Sequence, residues 1–335
     1  MKQLKIITWV LILVILLFGL IIGSLFAGEI NIDWQSFMDY FTNTTGSNIG
    51  YQYIIENRLN RTIVAVFAGA ALSLAGLILQ VFFRNPLAGP GVLGISSGAS
   101  LGVAAVVLGG LNFQGFTGYT TSVLAGFIGS FSVLMLLILA SKYIRQSVTL
   151  LVFGLMIGFF TSAILNVLYQ WADAESTREF VVWGLGSFEG IYGNALLFFI
   201  VFVGVGIGVS FFFIKPLNAL ALGVEYAQTI GVNMRQLKWF IIVITGLLTA
   251  IVTVFCGPIG FLGIAVPQLV RMLSRSQNHN VLLPLCLLLG AILALLSDIF
   301  IRVFDGNVPL NTATSLLGAP IIVWTIIKMN KRFSI

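Results

Sequence analysis

Ten apolar runs dictate what this chain can become. They fall at about 6–27, 60–82, 92–111, 119–141, 148–169, 191–214, 239–256, 260–274, 281–300 and 312–329. Most approach the roughly 20 residues that a helix needs to cross a hydrocarbon core about 30 Å thick. Lipid offers the backbone no hydrogen-bond partners, so spans of this length are read as helices. Of the 335 residues, 59% are hydrophobic and 8% are charged, against about 25% charged in soluble domains. The expected fold class is an all-α integral membrane protein of about ten transmembrane helices, one transmembrane domain over 1–335. No stretch is polar enough to form a separate soluble domain. The run 260–274 is short, because about 15 residues rise only about 22 Å. It also contains Pro267 and can cross only if partner helices shield it. Lys2 and Lys5 before the first run mimic a signal peptide, but the run is long and lacks a convincing cleavage site near Ala27. It is read as an uncleaved first span.

Charge sets the expected orientation. With ten spans and the N-terminus in the cytoplasm, Lys2, Lys5, Arg84, Lys142, Arg145, Lys215, Arg235, Lys238, Arg271, Arg275, Lys328, Lys331 and Arg332 all face inward. Only Arg58, Arg61, Arg178 and Arg302 face outward, with Glu29, Asp33, Asp39, Glu56, Asp173, Glu175, Glu179, Glu189, Asp298 and Asp305. Glu225 is the one inward acid. This is the positive-inside pattern, and both termini are expected in the cytoplasm. Trp34, Trp171 and Trp183 then lie near the outer interface and Trp9 and Trp239 near the inner one, as an aromatic belt requires.

Two apolar stretches are broken by proline and glycine. The first is Arg84-Asn85-Pro86-Leu87-Ala88-Gly89-Pro90-Gly91, continuing to Gly94-Ile95-Ser96-Ser97-Gly98-Ala99. The second runs from Gly257-Pro258-Ile259-Gly260-Phe261 through Pro267 to Arg271. Proline removes a donor and glycine allows turns and close approach. Irregular backbone at membrane depth survives only where protein buries it or a water-filled cavity borders it. A pair of such interruptions points to a transport pathway. Gly94, Gly98 and Gly102 repeat every four residues, as do Gly154 and Gly158. Such small-residue faces serve close helix packing, or alternatively face the path.

The longest inward connection, 217–236, holds a short pattern starting at Glu225 and ending at Gly231, a suitable C′ residue. A nearly uncharged helix in this position either lies on lipid or docks a cytoplasmic partner. Cys256 and Cys286 are far apart in apolar sequence and read as small buried hydrophobes. His279, the sole histidine, falls in a polar loop, so no metal site is expected. Asp298 lies four residues before Arg302, the spacing of a helical ion pair. It is the one acid near a span, whereas a proton relay needs several ionisable groups inside the membrane. No Gly-x-x-x-x-Gly-Lys-Ser/Thr occurs, so nucleotide hydrolysis through a P-loop is not expected on this chain.

From about residue 50 onward the chain carries, in order, Arg58-x-x-Arg61, Gly69-Ala70-Ala71-Leu72, Arg84-Asn85-Pro86-Leu87-Ala88, Gly94-x-Ser96-Ser97-Gly98-Ala99, the Gly223-to-Val232 segment, Gly257-Pro258-Ile259-Gly260-Phe261 and Leu317-Gly318-Ala319-Pro320. This ordered set resembles the FecCD family. That family supplies the permeases of type II ATP-binding cassette importers for iron–siderophores, haem and vitamin B12. Asn60, Gly89 and Gln268 depart from its usual proline, acid and histidine.

The resemblance implies a non-catalytic permease in a bacterial cytoplasmic (inner) membrane, without a cofactor. It pairs with a second permease as a homo- or heterodimer, binds two cytoplasmic ATPases and receives cargo from an external binding protein. No nucleic acid is involved. The expected cargo is a ferric siderophore or related chelate, with haem or cobalamin as the alternative within the family and an ion-coupled secondary transporter as the rival class. The resemblance makes 217–236 the coupling segment, with Gly223, Glu225, Ala227, Gly231 and Val232 against the ATPase. Asn85 and Leu87, with Ser147 between spans four and five, become candidates for the cytoplasmic gate. Arg58, Arg61 and Arg302 become candidates for docking the binding protein, and simple neutralisation of neighbouring acids is their alternative role.

Overall fold

The computed structural model describes residues 2–28, 30, 33–42, 49–110, 118–144, 146–304 and 308–333. Its helices in chain order are α1 (Lys2–Phe26), α2 (Trp34–Thr42), α3 (Ile49–Phe83), α4 (Ile95–Val107), α5 (Gly118–Tyr143), α6 (Ser147–Trp171), α7 (Ala174–Leu185), α8 (Gly193–Phe211), α9 (Ile214–Leu222), α10 (Val224–Thr229), α11 (Met234–Cys256), α12 (Leu262–Ser274), α13 (His279–Val303) and α14 (Leu310–Phe333). A 3-10 turn, Pro90–Leu93, precedes α4. Glu29, Arg145 and Asp305, which enter the charge count above, lie outside the described residues. No strand occurs among the described residues.

Seven helices are long and apolar enough to cross a membrane: α1, α3, α5, α6, α8, α11 and α13. With the 24-residue α14 and the shorter α4 and α12, 13 residues each, they account for the ten apolar runs. The helix at 262–274 is as short as its sequence requires. The other short helix, α4, was expected as a full span over 92–111. Pro90 and the left-handed Gly94 (φ 74°) delay its start.

The central element is α3. It carries the run Ala68-Gly69-Ala70-Ala71-Leu72, and Val64, Ala65, Ala68, Ala71, Leu74, Ala75, Leu77 and Ile78 along it are fully buried. Lipid gives helices no hydrophobic reason to associate, so close backbone approach must. A Cβ at Gly69 would strike the Gly290 carbonyl of α13, and one at Gly76 would strike the Gly263 carbonyl of α12. Pro267 deprives that Gly263 carbonyl of its amide donor one turn on. Gly98 and Gly102 pack α4 on α5, where a Cβ at Gly98 would stand 2.6 Å from the Gly129 carbonyl. This stripe therefore serves packing. The helix α3 begins at Ile49, well before the apolar run at 60, so Arg58 and Arg61 stand on it and not in a preceding loop.

The bundle has two unlike ends. A basic end gathers Arg84 after α3, Lys142 near the end of α5, the α9–α10 segment, Lys238, Arg271 and Lys328. There Lys238 Nζ donates to the Ser141 carbonyl at 2.9 Å and to the Ile144 carbonyl, capping α5. An acidic end gathers Asp173, Glu189 and Asp298 with the turns before α8, α12 and α14.

Candidate functional site

The two Pro/Gly interruptions meet inside the bundle. After Arg84 the chain turns back beside α3, and Ala88, Gly89 and Pro90 are buried. Pro90 packs on Gly263, and a Cβ at Gly89 would stand 2.6 Å from Ile264 Cγ1. Because Gly76 meets the same Gly263 and lies two helical turns before Arg84, the irregular backbone reaches about 12 Å into the bundle. Protein buries it, as membrane depth demands.

Glutamine side chains hold this turn. Gln268 Nε2 donates to the Pro86 carbonyl at 2.7 Å and to Gln80 Oε1 at 3.1 Å. Gln80 Nε2 donates to the Ile264 carbonyl at 3.2 Å, and Arg271 Nη1 donates to Gln80 Oε1 at 2.5 Å. Of the gate candidates, Asn85 is half-buried and its Oδ1 accepts the Leu87 amide at 2.9 Å, while Leu87 is exposed. Ser147, expected in a connection, is the first residue of α6 and half-buried.

The expected coupling segment is a helical pair with a break at Gly223, whose φ of 140° suits only glycine. The helix α10 starts at Val224, one residue before Glu225. It ends as the sequence requires: Val232 N–H donates to the Ala227 carbonyl at 2.9 Å and Gly231 N–H to the Gln228 carbonyl at 3.0 Å, with Gly231 at φ 89°. Those paired bonds form a Schellman motif. Ala227 is fully buried against the protein, so it does not present a small surface to a partner. The side chains in the open are Ala221, Leu222, Val224, Glu225, Tyr226, Gln228, Thr229 and Ile230, and Val232 is half-buried. Asn218 anchors α9 to α13 by accepting the His279 amide at 2.7 Å and contacting His279 Nδ1 at 2.8 Å. His279 is thus a buried helix-start residue (1% exposed) and not a loop residue.

Between these parts lies a cavity of about 1040 Å³, lined by Gln80, Arg84, Pro86, Gln268 and Arg271 on one side and by 221–226 on the other, with Lys328 of α14. It joins the gate turn to the coupling segment. Sequence reasoning missed Gln80, Gln268 as a tether and Asn218. Their available signal was an amide inside or beside an apolar run.

At the acidic end the three arginines expected to dock a partner turn inward. Arg58 donates to the Leu25 carbonyl at 3.0 Å and the Ile30 carbonyl at 2.7 Å, and Arg302 to the Ser24 carbonyl at 2.6 Å. They thereby cap the C-terminus of α1, where cations are favoured. Asp298, fully buried, accepts Arg61 Nε and Arg302 Nη2 at 2.5 Å each. Arg61 also pairs with Glu189, whose side chain is 52% exposed. The neutralising role foreseen for Arg302 is present, and Arg61 shares it. Three guanidiniums against two carboxylates leave this cluster one positive charge. Nearby, Asn311 of α14 clamps the 257–261 turn, accepting from Gly260 N–H at 2.9 Å and donating to the Pro258 carbonyl at 2.8 Å. Gly318 makes room for Phe261, where a Cβ would stand 2.7 Å from the phenylalanine Cβ. The motifs at 257–261 and 317–320 therefore face each other. Among the described residues, no three His, Cys, Asp or Glu side chains gather as metal ligands.

Comparison with known proteins agrees with this architecture. The model of the FecCD transport family matches residues 12–328. The chain is 30% identical over 336 residues to the vitamin B12 import system permease protein BtuC of Citrobacter koseri, covering 98% of this chain and 97% of that one. It is 32% identical over 325 residues to the hemin transport system permease protein HmuU of Yersinia pestis, covering 96% of each. Among solved structures, a metal-chelate type ABC transporter in an inward-facing conformation superposes with a TM-score of 0.84 at 29% identity, covering 96% of this chain and 99% of that one. The family match over nearly the whole chain, the ten-helix bundle and the meeting of its two interruptions place the chain in the FecCD transport family, as a permease subunit of an ABC importer.

Proposed function

We propose that the chain is the membrane subunit of an importer that moves a ferric siderophore or a related iron chelate into the cytoplasm of a bacterium. The family match over residues 12–328 carries this reading. The basic end faces the cytoplasm, in keeping with the positive-inside rule. Two cytoplasmic ATPases seat on α9–α10 and an external binding protein seats at the acidic end. A second permease pairs along α14, whose surface bears a hollow of about 880 Å³ lined by Asn311, Ser315, Leu316, Ala319, Val323 and Trp324. The gate is the turn carrying Asn85 and Leu87, with Ser147 at the start of α6 as a weaker second gate candidate. The coupling segment is 217–236, through Gly223, Glu225, Gly231 and Val232, with Ala227 supporting it from within. Arg58 and Arg302 are buried and Arg61 is half-buried, so their net positive cluster orients the binding protein through its field at an otherwise acidic end, chiefly during encounter.

Haem and cobalamin form the second cargo reading, favoured by what the two named permease relatives are said to carry. An ion-coupled carrier is disfavoured because Asp298 is already held by two arginines and offers no free relay group. The deciding experiment is uptake into proteoliposomes of the purified complex. Internal ATP with the external binding protein should drive accumulation of a labelled ferric siderophore. Uptake of haem or cobalamin alone would move the cargo to the second reading. Uptake driven by a proton or sodium gradient without ATP would overturn the first.

A further inference from the structure

The cavity at the basic end holds more positive charge than its walls neutralise. Arg84, Arg271 and Lys328 line it with a single acid, Glu225. Among the described residues, the ion pairs all lie at the other end, and none involves these three. Part of this is ordinary. Arg84 follows the C-terminus of α3 and Arg271 lies in the last turn of α12, where cations answer the helix dipole. The dipole does not account for how the three are held. Arg271 is drawn in from solvent onto Gln80 Oε1, a neutral amide that also receives Gln268. Lys328 Nζ lies 4.8 Å from the centre of the Trp324 ring, again a neutral partner. Arg84 sits at φ 49°, and its Nη2 reaches to within 3.4 Å of where a Gly223 Cβ would stand. A guanidinium withdrawn from water without a carboxylate is costly, and the half-buried Arg271 is in that position. Arg84, just after α3, and Lys328 of α14 are exposed and converge on the same cavity.

The cavity shares a wall with the coupling segment, through Ala221, Leu222, Gly223, Val224, Glu225 and Tyr226. Whatever protein covers the exposed apolar side chains of α10 also closes the cavity mouth. We propose that an acidic segment of the ATPase partner enters this cavity and places a carboxylate against Lys328, Arg84 and Arg271. This rests on the reading of α9–α10 as the ATPase-facing segment. Glu225 on the near wall repels that carboxylate and directs it toward the Arg271–Lys328 side. The ATPase then touches the gate turn directly through Arg84, as well as through α10. Its movements reach Asn85 and Pro86 by a second, electrostatic contact.

The test uses the permease–ATPase complex purified from its own membrane and placed in nanodiscs of phosphatidylcholine. A water-soluble carbodiimide joins an amine to a carboxylate only when the two are in contact. Mass spectrometry should find Lys328 Nζ in an amide with an Asp or Glu of the ATPase. In parallel, Lys328→Glu and Arg84→Glu should each weaken ATPase binding about 10-fold at low salt, with the difference shrinking at high salt. Lys328→Gln and Arg84→Gln should weaken it less. An ATPase that stays bound while Lys328 links to no ATPase residue, with affinities within twofold of wild type, overturns the proposal. So does an effect of the variants that follows the anionic lipid content of the nanodisc and not the ATPase, which would assign the cavity to a phospholipid headgroup. An ATPase that fails to accompany even the wild-type permease would overturn the coupling reading itself. That failure is distinguishable because it appears before any substitution.

Discussion

Replacing Asp298 by alanine tests the buried charge cluster most directly. The Asp298 carboxylate is fully buried and takes one guanidinium on each oxygen, Arg61 Nε and Arg302 Nη2 at 2.5 Å each. The arginine side chains are 13% and 6% exposed. Removing one partner of a buried pair typically costs about 3–5 kcal/mol, because the remaining charge is left without compensation. Here both arginines retain another acceptor. Arg302 keeps the Ser24 carbonyl and Arg61 keeps Glu189. The expected cost for Asp298→Ala is therefore near the lower limit, about 3 kcal/mol. Glu189→Ala removes a half-exposed partner and should cost about 0–1 kcal/mol. The contrast between the two variants carries the test, since both remove one carboxylate from the same cluster. The assay is reversible unfolding in mixed micelles, titrated with sodium dodecyl sulfate and followed by far-ultraviolet circular dichroism. If Asp298→Ala unfolds within about 1 kcal/mol of Glu189→Ala, burial does not set the strength of this cluster and the reasoning fails.

Three further outcomes follow from packing and capping. Ala227→Trp forces a large ring into a fully buried site, so it should lower stability by about 1–3 kcal/mol or more, whereas Tyr226→Ala on the open side should leave stability within about 0.5 kcal/mol and reduce ATPase stimulation in the complex; equal effects on stability would refute this division of α10. Gly102→Leu should separate α4 from α5, because a Cβ there already meets the Ala125 carbonyl, and cysteine crosslinking between the two helices should report the loss. Asp173 caps α7 by accepting the Ser176 amide at 2.7 Å, and that bond holds its pKa below the ordinary 3.8. Its contribution is therefore fully present above that ordinary value and is lost as pH falls through the depressed one, so hydrogen exchange at Ser176 should lose protection only in that acid window, and Asp173→Ala should abolish the pH dependence.

The spans were legible because hydropathy acts locally. A run such as 281–300 has one stable state in lipid, and the shortness of 262–274 could be read directly from its length and Pro267. Gly231 was legible for the same reason, since the end of α10 needs a positive φ within the next few residues. What the sequence hid depends on distant neighbours. Charge counting locates Arg58 and Arg302 at one end of the bundle, but it cannot say whether a guanidinium faces solvent or turns back. Their partners lie 33 and 278 residues away, on the last carbonyls of α1. Ala227 illustrates the same limit at shorter range. A small residue reads equally as room for a partner or room for the protein itself, and the tertiary contact decides. Gln80 and Gln268 were weakly legible, as amides within an apolar setting. Their pairing across 188 residues became visible only when α3 and α12 were seen side by side.

That pairing yields a test of the gate. The Pro86 carbonyl accepts Gln268 Nε2 at 2.7 Å, and Asn85 Oδ1 accepts the Leu87 amide at 2.9 Å, so the turn is held from outside by one bond and from within by another. Gln268→Leu removes the outer bond with little change of volume and leaves Arg271 its acceptor on Gln80. Pro86 is exposed and this bond is only part-buried, so its loss costs about 0.5–1.5 kcal/mol, which shifts a two-state equilibrium by about 2- to 13-fold. If the turn closes the path at rest, that cost falls on the closed state. Spin labels at Asn85→Cys in the two permeases of the assembled transporter should then report two separations in wild type, exchanged by ATP. In Gln268→Leu the longer separation should already be populated without nucleotide, and basal cargo leak should rise with it. A single separation in every nucleotide state would remove the turn from the gate. An ATP-dependent change that Gln268→Leu leaves untouched would keep the gate but deny the glutamine any part in holding it.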